Sequence, residues 1–335
     1  MSYLILSTYP EKGSRNSGDD LLGKSLLDIV KGVKGKDVNF DFVSVVDQEP
    51  EDLDDLSEYK AILAPGMRPT IKGYNEAPKN RSKFFNKAYK SSVPVYGVGA
   101  GWGVYPGTIK QSKKLNLAST EKEILSQHFG KVGQDSSAIG AISCRDITTE
   151  NILVNNGVKC YGTTGDCGLF DTNLLNTSAL LPEKINKISV SMPHVKHHQE
   201  MAYKLALKLK NEFSCDVYIT YHGYNGIFEE QINSNWDKRQ INFVDLSGDA
   251  ENLSFYDDID AHIGFRLHAH IWFLRTRKPS LLIGEDGRGM GHLYTLNGLG
   301  YSAAPNLSLK FKNLYPKSPV KKSTCSRNFL ALCRI

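Results

Sequence analysis

The residues of this chain best suited to chemistry are arginines and a histidine that stand where a β-rich run gives way to a helical pattern. In Ala261-His262-Ile263-Gly264-Phe265-Arg266-Leu267-His268 an apolar strand pattern ends at Phe265, and a helix-forming run follows from Ala269. A helix N-terminus presents unpaired N–H groups and a partial positive charge, so Arg266 adds a bidentate guanidinium to a ready-made anion site. His268 exchanges protons near neutral pH and sits where open α/β sheets gather their catalytic groups, which suits it to general acid–base work. A lone histidine has a blander reading as a satisfied core residue, and His262 and His270 read that way. The pattern recurs earlier: residues 138–143 form a strand-like run, Cys144-Arg145-Asp146 follow, and Asp146 is suited to cap a helical pattern over 148–154. Arg145 has two readings, an anion ligand facing Arg266 across a cleft, or an ion pair with Asp146 or Asp166 that ties loops together.

The glycine run Gly97-Val98-Gly99-Ala100-Gly101-Trp102-Gly103 also follows a strand pattern. It fails as a dinucleotide fingerprint, because a Gly-x-Gly-x-x-Gly begun at Gly97 needs glycine where Trp102 stands, and no helix opens after it. What remains is a tight turn that lets a ligand approach the backbone, with Gly99 and Gly101 as its candidates. Strand patterns at 3–7, 42–46, 61–64, 93–98, 138–143, 158–161, 188–191, 217–221, 241–244, 261–265 and 280–283 alternate with helical patterns at 19–31, 148–154, 199–211 and 268–277. This order predicts an α/β fold of two Rossmann-like, doubly wound domains, parallel sheets covered by helices on both faces. The expected divisions are 1–175, a linker at 176–187, 188–300, and a basic tail at 301–335. The cleft between the domains is the expected ligand site.

Composition sets other classes aside. With 40% hydrophobic and 23% charged residues the chain reads as an ordinary globular protein. Its +5 formal charge is uneven, since no Asp or Glu follows Asp286 and the part before it is net acidic. That argues against nucleic acid as a partner and confines attraction for polyanions, including peripheral membrane contact, to the C-terminal end. The six cysteines form no Cys-x-x-Cys pair, so they are expected as free thiols rather than a zinc or redox centre. The N-terminal apolar run is too short for a signal-peptide core and no stretch approaches a membrane span, which predicts a cytoplasmic protein.

Taken in order, Asn16-Ser17-Gly18-Asp19, the Gly97 to Gly103 run, Ser143-Cys144-Arg145-Asp146, Thr164-Gly165-Asp166, Ser191-Met192-Pro193-His194, Ile263 to Ala269, Pro279 and Asp286-Gly287-Arg288 resemble the motifs of the polysaccharide pyruvyl transferases, over residues 16–300. The resemblance implies a fold similar to glycosyltransferase type B and phosphoenolpyruvate as a co-substrate, with no cofactor and no metal. Family members transfer its pyruvyl carbons to two hydroxyls of one sugar, in a glycan or a lipid-linked precursor, giving a cyclic ketal and phosphate. It implies donor binding by Arg145, Arg266, Leu267 and His268. Asn16, Gly18, Asp19, Gly99, Gly101, His194 and Arg288 become candidates for donor or acceptor contacts. Arg288 stands where relatives often have lysine, and His194 where an aromatic residue is common.

The residues agree with that chemistry on their own terms. Phosphoenolpyruvate carries a carboxylate and a phosphate, and guanidinium groups match both anions bidentately. Ketal formation needs a proton on the enol methylene, a stabilised cationic C2 and removal of the hydroxyl proton, steps that one histidine can serve in turn. The expected roles are Arg145 and Arg266 for the donor anions, the Leu267 and His268 amides for phosphate, His268 as acid and base, and Asp19 for acceptor hydroxyls. The competing readings are a nucleotide-sugar-dependent glycosyltransferase on the same fold and a non-catalytic anion- or glycan-binding protein.

Overall fold

The computed structural model describes residues 2–303 apart from 10–14, 54, 75–79, 135–137, 176, 180, 224–240 and 299. The expected basic tail lies outside the described residues from position 304 onward.

Two all-parallel sheets are present. The first is built from β1 (Ser2–Ser7), β2 (Asn39–Ser44), β3 (Tyr59–Pro65), β4 (Val95–Ala100) and β5 (Ala141–Cys144) in the order β2-β1-β3-β4-β5. The second comprises β6 (Lys187–Ser191), β7 (Asp216–Tyr221), β8 (Asn242–Asp245), β9 (Ala261–Gly264), β10 (Ser280–Gly284) and β11 (Gly300–Ser302) in the order β11-β10-β9-β6-β7-β8. Strands enclosed on both faces read as continuous apolar runs, and β3 is buried from Ala61 through Pro65. The connecting helices are α1 (Ser17–Lys34), α2 (Arg81–Lys90), α3 (Ile109–Ser112), α4 (Ser119–Phe129), α5 (Ile147–Asn155), α6 (Gln199–Phe213), α7 (Leu267–Arg275) and α8 (Gly287–Leu296). Each sheet reverses its winding once, between β1 and β3 and between β6 and β9. Connections leave such a point in opposite directions and open a crevice beyond the carboxyl ends of the strands.

The two halves are sewn together on both sides of that crevice. Helix α1 starts with the Asn16 side chain accepting from the Gly18 amide at 3.1 Å, carries Asp19 and Asp20 in its positive first turn, and ends on Lys31 and Lys34. It then crosses to the second half: Ser17 N donates to the His222 carbonyl at 2.9 Å, Ala250 N to Asp20 Oδ2 at 2.7 Å, and Leu21 joins the core around Leu253, Ile271 and Phe273. On the other side Gly287 N donates to the Val104 carbonyl and Ile147 N to Thr295 Oγ1, both at 3.0 Å.

Several elements differ from the sequence reading. Residues 158–161 form no strand: Val158 makes an isolated antiparallel bridge to Lys131, and the chain meets β5 only from Tyr161, whose N–H reaches the Ile142 carbonyl. Contacts of Cys144 N with the Gly162 carbonyl and of Thr164 N with the Cys144 carbonyl then carry the chain past the end of β5 to Asp166. Helix α8 was hidden because Gly287, Gly289 and Gly291 are poor helix formers. They are there for contact, since a Cβ on Gly291 would stand 2.4 Å from the Asp146 carboxylate carbon. Helices α2, α3 and α4 also went unpredicted. Strand β11 draws Tyr301 and Ser302, which the sequence assigned to the tail, into the second sheet beside Ile283 and Gly284. Cys144, Cys160, Cys167 and Cys215 are free thiols. Among the described residues no helix is long and apolar enough to cross a membrane.

A buried ion pair holds the loop after β3. Arg81 Nη2 lies 2.6 Å from both Glu121 carboxylate oxygens, with side chains 5% and 3% exposed, and Arg81 Nη1 donates to the Arg68 carbonyl. Removing one partner strands a charge away from water, so Glu121→Ala is expected to cost about 3–5 kcal/mol. Glu200→Ala, which breaks an exposed pair with Lys204, is expected to leave the urea midpoint where it was. Equal midpoints for the two variants would contradict this.

Candidate active site

A cavity of about 690 Å³ occupies the crevice, and both halves contribute carboxyl-end residues to its wall. Ser7 and Thr8 follow β1, Gly66 to Arg68 follow β3, and Arg145 follows β5. From the other half come His194 after β6, Gly223 after β7, Arg266 and His268 after β9, and Asp286 and Arg288 after β10. Asn16 and Asp19 reach it from the start of α1. A smaller cavity continues inward between the N-termini of α7 and α8, sharing Asn16, His194, Arg266, His268 and Arg288 and adding Leu267 and Gly289.

Arg266 is the N-cap residue of α7, and its position is fixed from behind. Its backbone N–H donates to Ser191 Oγ at 2.9 Å, and a buried chain continues through His262, Ser280 and His270 with successive separations of 2.8, 2.7 and 2.6 Å. Among the described residues no carboxylate pairs with its guanidinium, and its Nε is buried without a hydrogen-bond partner. Burial pushes its pKa down to about 10, which still leaves it cationic at neutral pH. The guanidinium instead touches the His194 imidazole. Burial, then the charges of Arg266, Arg288 and Arg68, push His194 far below the usual histidine range, so it is a neutral acceptor. Glu285 holds the His194 loop by accepting from His194 N at 2.8 Å and Val195 N at 3.1 Å.

Arg145 takes the ion-pair reading, and its partner is Asp166: Nε lies 2.7 Å from Oδ2, with side chains 3% and 0% exposed. Asp146 instead caps α5 by accepting from Thr149 N at 2.8 Å. Burial alone would raise the Asp166 carboxyl, but Arg145 and His268 outweigh it and hold Asp166 anionic far below the usual carboxylate range. His268 Nε2 stands 3.8 Å from the same oxygen, so one carboxylate serves an arginine of the first half and a histidine of the second. The His268 ring also packs against α1 at Gly18, where a Cβ would stand 1.9 Å from Nδ1. Asp19 accepts from Thr8 Oγ1 at 2.8 Å, and Arg288 lies on Asp286 Oδ2 through Nε at 2.9 Å and Nη2 at 2.6 Å.

The crevice therefore gathers Asn16, Asp19, Arg145, His194, Arg266, His268 and Arg288, with Gly18 directly behind His268. Gly99 and Gly101 do not line it. A Cβ on Gly99 would meet the Gly165 carbonyl at 3.0 Å, and one on Gly101 would meet Arg145 Cζ at 3.4 Å, so these glycines let the Asp166 loop and the Arg145 side chain lie close to β4. Leu267 sends its side chain into the core and only borders the inner cavity. Two residues were missed as parts of the site. Asp166 appeared in the Thr164-Gly165-Asp166 motif and as a possible partner for Arg145 but was given no role beside His268, and Arg68 was not singled out although it follows β3 as Arg145 follows β5; no helical pattern succeeds it to draw attention.

The site makes two measurable properties. Alanine normally improves a helix over glycine by about 1 kcal/mol, but the clash with His268 reverses the sign, so Gly18→Ala is expected to lower stability by about 1–3 kcal/mol in urea denaturation. A stabilised variant would contradict the contact. Burial also depresses several histidines that are almost fully enclosed: His262 to about 3, His292 to about 4, and His222 and His270 far down. The unfolded chain takes up protons on them below about pH 6.5 while the folded chain does not. Stability from these groups is full above that pH and lost as pH falls toward 4, so the melting temperature is expected to drop steeply over that window. A flat profile from pH 7 to 4 would contradict their burial as neutral rings.

Sequence and structure comparisons were made against this geometry. A search of curated proteins finds no match. Among solved structures the chain is similar to MnaA of S. aureus in complex with UDP (TM-score 0.48, 11% identity, 86% of this chain and 80% of that one). It is similar to UDP-GlcNAc 2-epimerase of Neisseria meningitidis bound to UDP-GlcNAc (0.46, 9%, 88% and 90%) and to HepE of Anabaena in complex with UDP (0.45, 11%, 92% and 87%). The sequence profile of the polysaccharide pyruvyl transferases matches residues 16–287. That span runs from β2 to β10 and includes Asn16, Asp19, Arg145, His194, Arg266 and His268, with Arg288 one residue beyond it, and the chain belongs to the polysaccharide pyruvyl transferase family, enzymes that modify polysaccharides.

Proposed function

We propose that the enzyme moves the pyruvyl group of phosphoenolpyruvate onto two hydroxyls of one sugar, forming a cyclic ketal and releasing phosphate. The observation that carries this reading is the buried Arg266 guanidinium at the N-terminus of α7 and next to His268, with no carboxylate partner among the described residues. A dianionic donor supplies the missing countercharge. In this reading Arg266 and the Leu267 and His268 amides hold the donor anions. Arg145, its Nε committed to Asp166, offers its remaining nitrogens, and Asn16 and Asp19 meet the acceptor hydroxyls.

His268 delivers a proton to the methylene carbon, C2 becomes cationic, and a sugar hydroxyl attacks it and gives its proton back to the histidine. Phosphate then departs with the proton held by His268, and the second hydroxyl attacks C2 and gives its proton to the neutral ring, which closes the ketal and restores the starting histidine. Asp166 balances the imidazolium charge each time His268 holds the proton, as a carboxylate does for a catalytic histidine elsewhere. The chemistry itself calls for no metal or cofactor, because fixed dipoles and guanidinium groups meet the developing charges.

Incubation with phosphoenolpyruvate and a panel of glycans is expected to release phosphate and add a pyruvate ketal detectable by mass and NMR. Transfer of a sugar from a nucleotide donor, without dependence on phosphoenolpyruvate, would replace this reading by a glycosyltransferase, and binding without phosphate release by a non-catalytic protein. Arg266→Ala is expected to raise KM for phosphoenolpyruvate by about one to two orders of magnitude, the value of a charge-assisted contact. His268→Ala is expected to lower kcat by about 10²–10⁴ while donor binding by calorimetry changes less. Near-normal turnover of His268→Ala at saturation would remove its acid–base role.

A further inference from the structure

Apart from its charge acting on His194, Arg68 has entered the site so far only through its backbone. The loop that carries it is fixed at three successive residues: Gly66 N donates to the Val98 carbonyl at 2.8 Å, the Met67 carbonyl accepts from Gly101 N at 3.0 Å, and the Arg68 carbonyl accepts from Arg81. The side chain extends into the 690 Å³ cavity, and among the described residues no carboxylate pairs with it. It faces Arg288, which comes from the other half. Arg68 Nη1 and Arg288 Nε each lie 3.7 Å from the point where a Cβ on Gly103 would stand, with Asp286 Oδ2 at 3.8 Å. Asp286 neutralises Arg288 through Nε and Nη2, leaving Arg288 Nη1 free of that pair and Arg68 as the surplus charge. Two guanidinium groups from different domains thus approach one small space that only a missing side chain keeps open.

We infer that Arg68 and Arg288, over the floor provided by Gly103, form an interdomain clamp for a phosphate group. Its tetrahedral oxygens can bridge two forks that approach from opposite walls, which a planar carboxylate does less well. The anion relieves the repulsion between Arg68 and Arg288 and ties the domains across the crevice. The Arg68 side chain is exposed to the crevice, and its pKa is lowered by the surrounding crevice walls and then by the charge of Arg288, consistent with a cation kept near a like charge. The phosphate has two sources, the donor proposed above or a phosphorylated acceptor such as a nucleotide- or lipid-linked sugar. The clamp goes beyond the donor reading and does not require it.

The test is calorimetric titration of inorganic phosphate, phosphoenolpyruvate and UDP-glucose into the full chain and into Arg68→Ala, Arg68→Lys and Gly103→Ala, with a thermal melt of each. Arg68→Ala is expected to weaken phosphate binding by about tenfold or more. Arg68→Lys should recover part of it, since lysine keeps the charge without the fork. Gly103→Ala should weaken binding by filling the space. In the absence of anion, Arg68→Ala should melt at or above the parent temperature and lose the rise that phosphate confers on the parent. Loss confined to phosphoenolpyruvate assigns the clamp to the donor; loss confined to UDP-glucose assigns it to the acceptor. Both uphold it. Failure of the parent to bind phosphoenolpyruvate while it binds phosphate would remove the donor reading and keep the clamp. Parent-like affinity of Arg68→Ala for all three probes, no binding of any probe by the parent, or a lowered melting temperature without anion would overturn it.

Discussion

Everything in this crevice depends on the balance of positive charge along its walls. Six arginines line it, and carboxylates of the protein answer Arg81 through Glu121 at 2.6 Å, Arg145 through Asp166 at 2.7 Å, and Arg288 through Asp286. Among the described residues no carboxylate pairs with Arg266, which is buried, or with Arg68, which is exposed to the crevice. An uncompensated cation removed from water is costly, and it persists only where the surrounding structure leaves it no other place. For Arg266 that compulsion is visible in the Ser191, His262, Ser280 and His270 chain behind its backbone, together with the Glu285 clasp on the His194 loop. The charge deficit is the signature of a site whose countercharge arrives with an anionic ligand.

Topology explains why the charges meet. Both sheets run parallel and both reverse their winding near the middle, so the connections after β1, β3, β6 and β9 converge on one space. Close contacts bring the walls together: α1 reaches the second core through Leu21, and Gly18 lets His268 lie against its first turn. Asp166 is the joint of the arrangement. It stabilises an arginine of one half and faces a histidine of the other, so the spacing of the halves and the electrostatics of His268 depend on the same carboxylate.

The fold was largely legible because buried parallel strands are apolar runs, and alternation of such runs with helical patterns leaves few architectures. What escaped did so for physical reasons. Helix α8 looks like a loop by composition because Gly287 and Gly291 serve contact with the other domain, and residues 158–161 look like a strand although Val158 pairs with Lys131 and the chain meets β5 only from Tyr161 onward. Strand-end arginines were legible where a helix follows, at Arg145 and Arg266. Arg68 follows its strand without one and was passed over. The choice between two roles for Arg145 could not be made from spacing, since both Asp146 and Asp166 were available and only the path of the chain after Gly162 decides between them. The glycine run at 97–103 misled in another way: Gly99 and Gly101 admit protein rather than ligand.

The most direct measurement is a crystal structure of the protein soaked with phosphoenolpyruvate and phased without it. The account predicts the donor in the crevice, with one of its anionic groups on the Arg266 guanidinium and the α7 amides and its methylene carbon within reach of the His268 ring. Phosphoenolpyruvate bound elsewhere, or a crevice that accepts a nucleotide diphosphate on Arg266 and excludes phosphoenolpyruvate, would contradict it.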